Sequence, residues 1–250
     1  MKAALRTEGL SKQWGSFKAN NDLNIALPVG ARHALIGPNG AGKTTFINLL
    51  TGALAPTSGK VYLNEENVTH LSQHQRVKRG MTRTFQINTL FPGLTVLESV
   101  VLTVCERRGI AGRWMSTEAK QRDAVEEAEN LLGSLRLLQE ADVLTRNLPY
   151  GKQRLVEIAL ALATRPKILL LDEPGAGIPS AESAELFGVI AGLPADVTIL
   201  LIEHDMDLVF RFAQWIIVLV NGQVLTEGTP AAIAADERVK EVYLGEVQHG

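Results

Sequence analysis

The segment from Gly37 to Thr44 contains the residue types that hold a triphosphate. It fits the pattern G-x-x-x-x-G-K-[ST], with an apolar run before it that predicts a strand end and another after it that predicts a helix start. Glycines let backbone N–H groups curl around a phosphate at a helix N-terminus, whose dipole favours anions. In this pattern Lys43 reaches the β- and γ-phosphates and the Thr44 hydroxyl binds Mg²⁺. A chance Gly/Pro/Asn turn does not account for both flanks, so the sequence predicts a nucleoside triphosphate site.

Two adjacent carboxylates end a second apolar segment. The run Ile168–Leu171 predicts a buried strand, and Asp172 and Glu173 follow it. In a phosphate-loop enzyme such a strand lies beside the loop, so Asp172 can hold Mg²⁺ through water. Glu173 can then orient or deprotonate an attacking water. The alternative is a buried strand capped by a solvated acidic pair, which is common, and it is the loop upstream that favours the catalytic interpretation.

The elements that must position these residues predict an α/β fold. Asp172 lies 129 positions after Lys43, more than a compact GTPase or small kinase needs, which favours an ATPase with an inserted subdomain. Residues 90–165 have helical spacing, and the C-terminal third alternates strands with helices, as in a parallel sheet. We expect a P-loop NTPase core (1–89 and 166–250), with a mixed or parallel sheet and an antiparallel β layer, and an inserted helical subdomain (90–165). The N-terminal strands are predicted at 3–10, 22–28, 34–36 and 60–63.

Composition excludes several classes of protein. The 250 residues are 46% hydrophobic and 21% charged, as in ordinary soluble globular proteins. A net charge of −2 argues against a general nucleic-acid binder, which normally carries a basic surplus. The single cysteine, Cys105, excludes an internal disulfide and suits a reducing cytosol. No apolar run approaches the length of a membrane span. We therefore expect a cytoplasmic protein that can still dock on a membrane protein.

The order of the motifs along the chain resembles a known family. After the phosphate loop come Gln86, the segment Leu148–Gln153, the strand with its two carboxylates, and Glu203-His204-Asp205. This order is similar to that of the nucleotide-binding subunits of ABC transporters, and the resemblance covers essentially the whole chain. It implies an ABC ATPase that uses ATP and Mg²⁺.

The resemblance implies roles for three further residues. Gln86 matches the glutamine that contacts Mg²⁺ and water, and His204 matches the switch histidine that contacts the γ-phosphate and helps position Glu173. Trp14 stands where the family has an aromatic residue that stacks on adenine. Without the resemblance, the alternatives are that Gln86 is simply a polar residue at a strand end, that His204 is structural, and that Trp14 is a half-buried packing residue. The expected catalytic residues are Lys43, Gln86, Glu173 and His204; the expected metal ligands are Thr44, Gln86 and Asp172; the expected nucleotide contacts are Trp14, Gly37, Pro38, Asn39, Gly40, Ala41, Gly42, Lys43, Thr44, Thr45, Tyr150, Gly151 and Lys152.

The predicted signature helix departs from the family pattern. In the family this helix begins at a sequence of the type L-S-G-G-Q, and its N-terminus binds the γ-phosphate held by the opposite subunit. Here Pro149 replaces the usual serine, so the hydroxyl donor is absent. Pro179 stands where many relatives carry an aspartate. We therefore expect a second ATP-binding subunit, favouring a heterodimer over a homodimer, to which this chain contributes a weakened half-site.

Within the family, the chain most resembles the ATP-binding proteins of branched-chain amino acid uptake. The resemblance rests on Met81–Gln86, Leu90–Val96, Tyr150–Arg154, Pro174–Gly177 and the tail Val239–Glu246. Relatives that import urea, amides or aromatic acids share these features. The resemblance implies an ATPase at the inner face of the cell membrane, two permease subunits, an indirect solute-binding protein and no nucleic acid. The alternatives are a soluble ABC ATPase acting on ribosomes or DNA, which usually has two fused domains or a long coiled-coil insertion, and an exporter subunit.

Overall fold

The computed structural model describes residues 2–84, 90–110 and 118–246 and divides into two compact units. The first unit comprises Met1–Arg83, Lys167–Glu173 and Pro194–Gly250, and the second comprises Thr84–Pro166 and Pro174–Leu193. The elements of the described residues, in chain order, are β1 (Ala3–Trp14), β2 (Phe17–Leu23), β3 (Ala26–Pro28), β4 (Arg32–Ile36), α1 (Lys43–Thr51), β5 (Ser58–Leu63), β6 (Glu66–Asn67), α2 (Gln73–Lys78), β7 (Met81–Arg83), α3 (Val96–Arg107), α4 (Glu118–Ser134), α5 (Tyr150–Ala163), β8 (Ile168–Asp172), α6 (Ser180–Ala191), β9 (Thr198–Ile202), α7 (Met206–Phe212), β10 (Trp215–Val220), β11 (Gln223–Gly228), α8 (Pro230–Ala235) and α9 (Glu237–Glu246).

An antiparallel sheet forms one layer of the first unit. Its strand order is β2-β1-β5-β6, and β3 also pairs with β1. The strand predicted over 22–28 is interrupted between β2 and β3. Asp22 adopts a left-handed backbone with φ of 57°, and the Asn24 side chain accepts a hydrogen bond from the Gly9 N–H at 2.8 Å. Leu23, Ile25 and Leu27, which alternate along this segment, are all buried.

A six-stranded sheet forms the other layer, with the order β11-β10-β4-β9-β8-β7. The five strands from β10 to β7 are parallel, and β11 runs antiparallel to β10 through a turn at Asn221 and Gly222, as the Asn-Gly pair predicts. Parallel strands bring all their carboxyl ends to one edge. The segments that follow β4, β8 and β9 therefore start side by side at this edge, with β9 in the middle.

Helix α1 supplies much of the core of the first unit. Its side chains Phe46, Ile47, Leu49 and Leu50 are fully buried, in one cluster with apolar residues of both sheets. Burying a side chain of this size contributes roughly 1.5–3 kcal/mol. The helix that carries the predicted phosphate-binding residues is therefore held firmly against the two sheets.

The second unit is helical and is built on α3, α4, α5 and α6. Helices α3, α4 and α5 contact one another, and α6 contacts α5. A capping box begins α3: the Thr95 hydroxyl accepts from the Glu98 N–H at 3.1 Å, and the Thr95 N–H donates to the Glu98 carboxylate at 2.7 Å. In the part of the chain that the structure describes, no helix combines the length and the apolar character needed to cross a bilayer.

Candidate functional site

The segment from Gly37 to Gly42 turns tightly between the buried end of β4 and the first turn of α1. Gly37, Gly40 and Gly42 have φ of 155°, 77° and 101°, in the region that favours glycine. Space also requires glycine at two of these positions. A Cβ on Gly37 would lie 2.1 Å from the Leu219 carbonyl oxygen, and one on Gly42 would lie 2.4 Å from the Ala19 carbonyl oxygen.

The start of α1 has the character of an anion site. Its N-cap residue is Gly42, no side chain caps the helix, and no acidic residue lies in its first turn. The first N–H groups of the helix and its positive dipole end therefore face the loop without a competing carboxylate from that turn. The Lys43 ammonium folds over the loop and donates to the Gly37 carbonyl and, at 3.0 Å, to the Pro38 carbonyl. Thr44, the next residue, is exposed.

Residues distant from the motif in the sequence form hydrogen bonds that fix the phosphate loop. The Asn20 side-chain amide donates to the Gly42 carbonyl at 3.2 Å, and the Gly222 N–H donates to the Ala41 carbonyl at 2.9 Å. Gly222 itself packs against Ala19, because a Cβ there would lie 2.5 Å from the Ala19 carbonyl oxygen. Strand β2 and the β10–β11 turn thus fix the loop, and nothing in the motif pattern itself identifies them.

The two predicted carboxylates lie at the end of β8, at the same sheet edge as the loop. Asp172 still pairs with Ile202 of β9, and the Glu173 N–H donates to the Ile202 carbonyl at 2.9 Å. Glu173 has φ of 46°, which is uncommon for a residue with a side chain. Such strained positions concentrate at functional sites, which makes Glu173 a candidate on backbone grounds as well as by its chemistry.

Asp172 has a cationic partner that sequence reasoning missed. The Arg83 guanidinium donates to the Asp172 carboxylate at 2.5 Å and to the Asn48 side-chain oxygen at 2.9 Å. Both side chains of the ion pair are about one-fifth exposed. Asn48 lies one helical turn after Thr44 on α1, so Arg83 connects the helix that carries the predicted hydroxyl ligand with the strand that carries the predicted carboxylate.

His204 lies just beyond β9, the strand between β4 and β8. Its side chain is 66% exposed, and its Nδ1 atom is 3.6 Å from a carboxylate oxygen of Glu203. Glu203 is 1% exposed and also accepts a hydrogen bond from the His204 N–H at 3.1 Å. Because β9 lies between β4 and β8, His204 lies at the sheet edge that holds the loop and Glu173. The buried Glu203 carboxylate contacts His204 from the protein interior.

Trp14 lies at the tip of the β1–β2 hairpin and is 48% exposed. Its register partner across the two-residue turn is Phe17, which is 65% exposed. The Lys12 ammonium lies over the Trp14 ring, 5.3 Å from its centroid. The predicted base-contacting residue is therefore exposed, as that role requires.

Tyr150, Gly151 and Lys152 form the first turn of α5 in the second unit. Pro149 is the N-cap residue and provides no side-chain hydrogen bond. The Gly151 N–H donates instead to a carboxylate oxygen of Glu182, in the first turn of α6, at 3.2 Å. The helix start borders a pocket of about 230 Å³ whose lining residues are Pro149, Gly151, Lys152, Leu155, Glu182, Glu185 and Leu186. An internal carboxylate thus already uses one anion-binding N–H group of this helix. Gln86, the remaining predicted site residue, lies outside the described residues.

Comparison with known proteins identifies the family. The profile described as "ABC transporter" matches residues 20–176, and that described as "Branched-chain amino acid ATP-binding cassette transporter" matches residues 223–249. The chain belongs to the ABC transporter family, in its branched-chain amino acid group. The ABC ATPase fold and the ATP-hydrolysing activity predicted from the sequence are confirmed, and so is the assignment to the uptake branch.

The relatives of this ABC ATPase match it along nearly its whole length. It is 38% identical to the high-affinity branched-chain amino acid transport ATP-binding protein BraF of Pseudomonas aeruginosa, over 97% of this chain and 98% of the relative. It is 39% identical to the corresponding protein LivG of Escherichia coli K12, with the same coverage. Among solved structures, the ADP conformation of an ATP-binding cassette of an ABC transporter superposes with a TM-score of 0.86 at 33% identity, covering 98% of this chain and 99% of the other.

Proposed function

We propose that this chain is the ATP-hydrolysing subunit of an importer for branched-chain or related amino acids. Similarity to BraF and LivG over nearly the full length supports the substrate class, since both are named for branched-chain amino acid transport. The observation that carries the assignment of the site is the shared sheet edge. The phosphate loop, the carboxylates Asp172 and Glu173, and His204 lie there at the ends of three adjacent parallel strands.

The nucleotide site that we propose is built on the loop and the hairpin of the first unit. The N–H groups of Gly37–Thr45 cradle the phosphates, the Lys43 ammonium neutralises the β- and γ-phosphates, and Trp14 stacks on the base. The glycine geometry of the loop and the uncapped start of α1 support the first role, and the exposed indole ring supports the last.

The residues present fit Mg²⁺. The Thr44 hydroxyl and the Asp172 carboxylate are hard oxygen ligands, the type that Mg²⁺ prefers, and Gln86 is proposed as a third. The described residues contain no group of three or more His, Cys, Asp or Glu side chains that could hold a metal. This suits an ion that takes its remaining ligands from the phosphates of a nucleotide and from water. When bound, Mg²⁺ supplies charge neutralisation at the β- and γ-phosphates.

Catalysis in this proposal is the work of Glu173 and His204. The Glu173 carboxylate orients or deprotonates the attacking water, His204 contacts the γ-phosphate and keeps Glu173 in place, and Gln86 contacts that water. Glu173 directly follows Asp172, the proposed metal ligand, so one strand end holds both the base and the carboxylate that would bind Mg²⁺. This arrangement supports direct attack of water on the γ-phosphate.

The experiment that tests the catalytic assignment is Glu173→Gln. The amide keeps the size of the side chain but cannot accept a proton, so hydrolysis should fall by at least about 100-fold while ATP still binds. Equilibrium binding of a fluorescent ATP analogue to the chain measures ATP binding. Phosphate release by the complex assembled with the partner ATPase and the permease subunits measures hydrolysis.

Glu241→Gln provides the matched control, because Glu241 is an exposed glutamate on α9. It should leave both binding and hydrolysis unchanged. Hydrolysis by Glu173→Gln at more than about one-tenth of the original rate would exclude Glu173 as the general base.

The partners that we propose follow from this role. Two permease subunits receive the motion that ATP binding and hydrolysis drive, and a solute-binding protein selects the substrate. The ATPase is then peripheral, on the inner face of the cell membrane, and has no nucleic-acid partner. We also keep the predicted division into a nucleotide-binding core (1–89 and 166–250) and a helical subdomain (90–165). The second compact unit differs from this subdomain, since it runs from Thr84 to Pro166 and additionally contains Pro174–Leu193.

The second ATP-binding subunit is proposed to be a different protein. In the family the start of α5 binds the γ-phosphate held by the opposite subunit. Here two features weaken that start: Pro149 offers no hydroxyl, and the Glu182 carboxylate accepts from the Gly151 N–H. A hydrogen bond to a charged group typically contributes about 1.5–3 kcal/mol, so this chain supplies a weak half-site and gains from a partner that supplies a strong one.

A further inference from the structure

The tip of the β1–β2 hairpin exposes two aromatic side chains on facing strand positions. Trp14 and Phe17 are register partners, and Gly15 and Ser16 form the turn between them. They are 48% and 65% exposed, and Phe17 is the most exposed of the large hydrophobic side chains in the described residues. Single exposed apolar residues are ordinary, but two exposed aromatic side chains on directly opposed strand positions place two apolar surfaces near each other at the hairpin tip, which we call the Trp14–Phe17 patch. Such a patch is typical of a surface that a ligand covers.

Strand β2 leads from this patch directly to the phosphate loop. Ala19 lies two residues after Phe17, about 7 Å along the strand. The Ala19 carbonyl contacts the backbone at Gly42, and the next residue, Asn20, donates to the Gly42 carbonyl at 3.2 Å. Phe17 therefore lies on the strand that supports the loop, three residues before the Asn20 side chain that holds the Gly42 carbonyl.

One face of the Trp14 ring already has a partner. The Lys12 ammonium lies over it at 5.3 Å from the centroid and is anchored by a 2.9 Å hydrogen bond to the Ala55 carbonyl. A base can stack only on the remaining face. Directly opposed residues on paired strands have their Cβ atoms about 4.5–5.5 Å apart, so a planar base on the indole also reaches the side chain across the turn. That side chain is Phe17.

We propose that Phe17 is a second aromatic contact for the base of the bound nucleotide and helps the site to select a purine. The inference rests on the proposed function, because it requires the triphosphate to lie in the loop of Gly37–Thr44. A purine covers more of the Trp14–Phe17 patch than a pyrimidine does, so the patch favours ATP over CTP. The contact is apolar and does not involve the phosphates.

The test compares three ligands: ATP, CTP and inorganic tripolyphosphate. Dissociation constants are measured by isothermal titration calorimetry for the full chain and for Phe17→Ala. An aromatic contact is worth roughly 0.5–1.5 kcal/mol, so the ATP dissociation constant should rise by about 2- to 10-fold. The CTP constant should rise less, and the tripolyphosphate constant should not change.

Val29→Ala is the matched control, because Val29 is 55% exposed and lies outside the hairpin. It should leave all three constants unchanged. Unchanged ATP affinity in Phe17→Ala, or an equal loss for ATP and tripolyphosphate, would overturn the role of Phe17 at the base. Lys43→Ala separates this failure from failure of the proposed function: full retention of tripolyphosphate binding in that variant would reject the phosphate loop itself.

Discussion

At the scale of single residues, the sequence predicted the position of candidate site residues that come directly after, or at the end of, a strand. The phosphate loop follows β4, Asp172 ends β8 and Glu173 follows it, and His204 lies just beyond β9, so strand patterns alone bring them to one sheet edge. Partners chosen by tertiary packing gave no such signal. Nothing in the spacing indicates that Arg83 pairs with Asp172, or that Glu182 accepts from the Gly151 N–H.

The Arg83–Asp172 pair should contribute measurably to stability. Each side chain is about one-fifth exposed, and Arg83 is also fixed by Asn48. We expect Arg83→Met to lower the free energy of unfolding by about 1–2 kcal/mol, because it leaves a partly buried carboxylate without its cationic partner. Chemical denaturation of Arg83→Met, Asp172→Asn and the double variant gives the coupling energy of the pair.

The control cycle uses Arg79 and Glu66, whose side chains are 35% and 53% exposed. Ion pairs at such surfaces typically contribute little, so the control coupling should be smaller than that of Arg83 and Asp172. Equal coupling energies in the two cycles would contradict a structural role for the buried pair.

At the scale of elements, helices and parallel strands were predicted well, but continuous pairing over 22–28 was wrong. The apolar alternation reports which face is buried and cannot show where the backbone leaves the ladder. That break depends on the left-handed Asp22 and on the side chain of Asn24. The end of α1 raised a similar difficulty, because the group that satisfies its last carbonyls comes from α2.

Arg76 of α2 should be essential for the end of α1. Its side chain is 1% exposed, and its guanidinium donates to the carbonyls of Leu49, Leu50, Thr69 and Leu71. Burial lowers the pKa of this guanidinium to about 10, so it remains charged at neutral pH. Arg76→Met would leave four carbonyls without this donor, and we expect a loss of at least about 3 kcal/mol in unfolding free energy.

Arg79→Met is the control for that measurement, since Arg79 follows the same helix and forms an exposed ion pair. It should change the unfolding free energy by less than about 1 kcal/mol. The structural assignment of Arg76 would be wrong if the two variants had the same midpoint of thermal unfolding.

At the scale of the whole molecule, the family membership and the residues at the start of α5 bear on whether this chain can dimerise with itself. The P-loop half of the proposed site is well formed in this chain, with its glycines, Lys43, Thr44 and the carboxylates. In the proposed assignment the half that it offers to a partner is weak, because Pro149 brings no hydroxyl and Glu182 accepts from the Gly151 N–H. Two copies of this chain would therefore combine two good loops with two weak signature helices, and neither composite site would be complete.

This imbalance predicts that the chain does not dimerise efficiently with itself. In Glu173→Gln, where hydrolysis is blocked, ATP should leave the chain monomeric at micromolar concentration, as measured by size-exclusion chromatography with light scattering. Adding Pro149→Ser and Glu182→Ala restores a hydroxyl donor and frees the Gly151 N–H, so the triple variant should dimerise with ATP. A further Lys43→Ala substitution should abolish that dimer, because each ATP must first be held by its own loop. ATP-dependent dimers of Glu173→Gln alone would instead show that the start of α5 binds phosphate well enough, and a homodimer would replace the asymmetric pair.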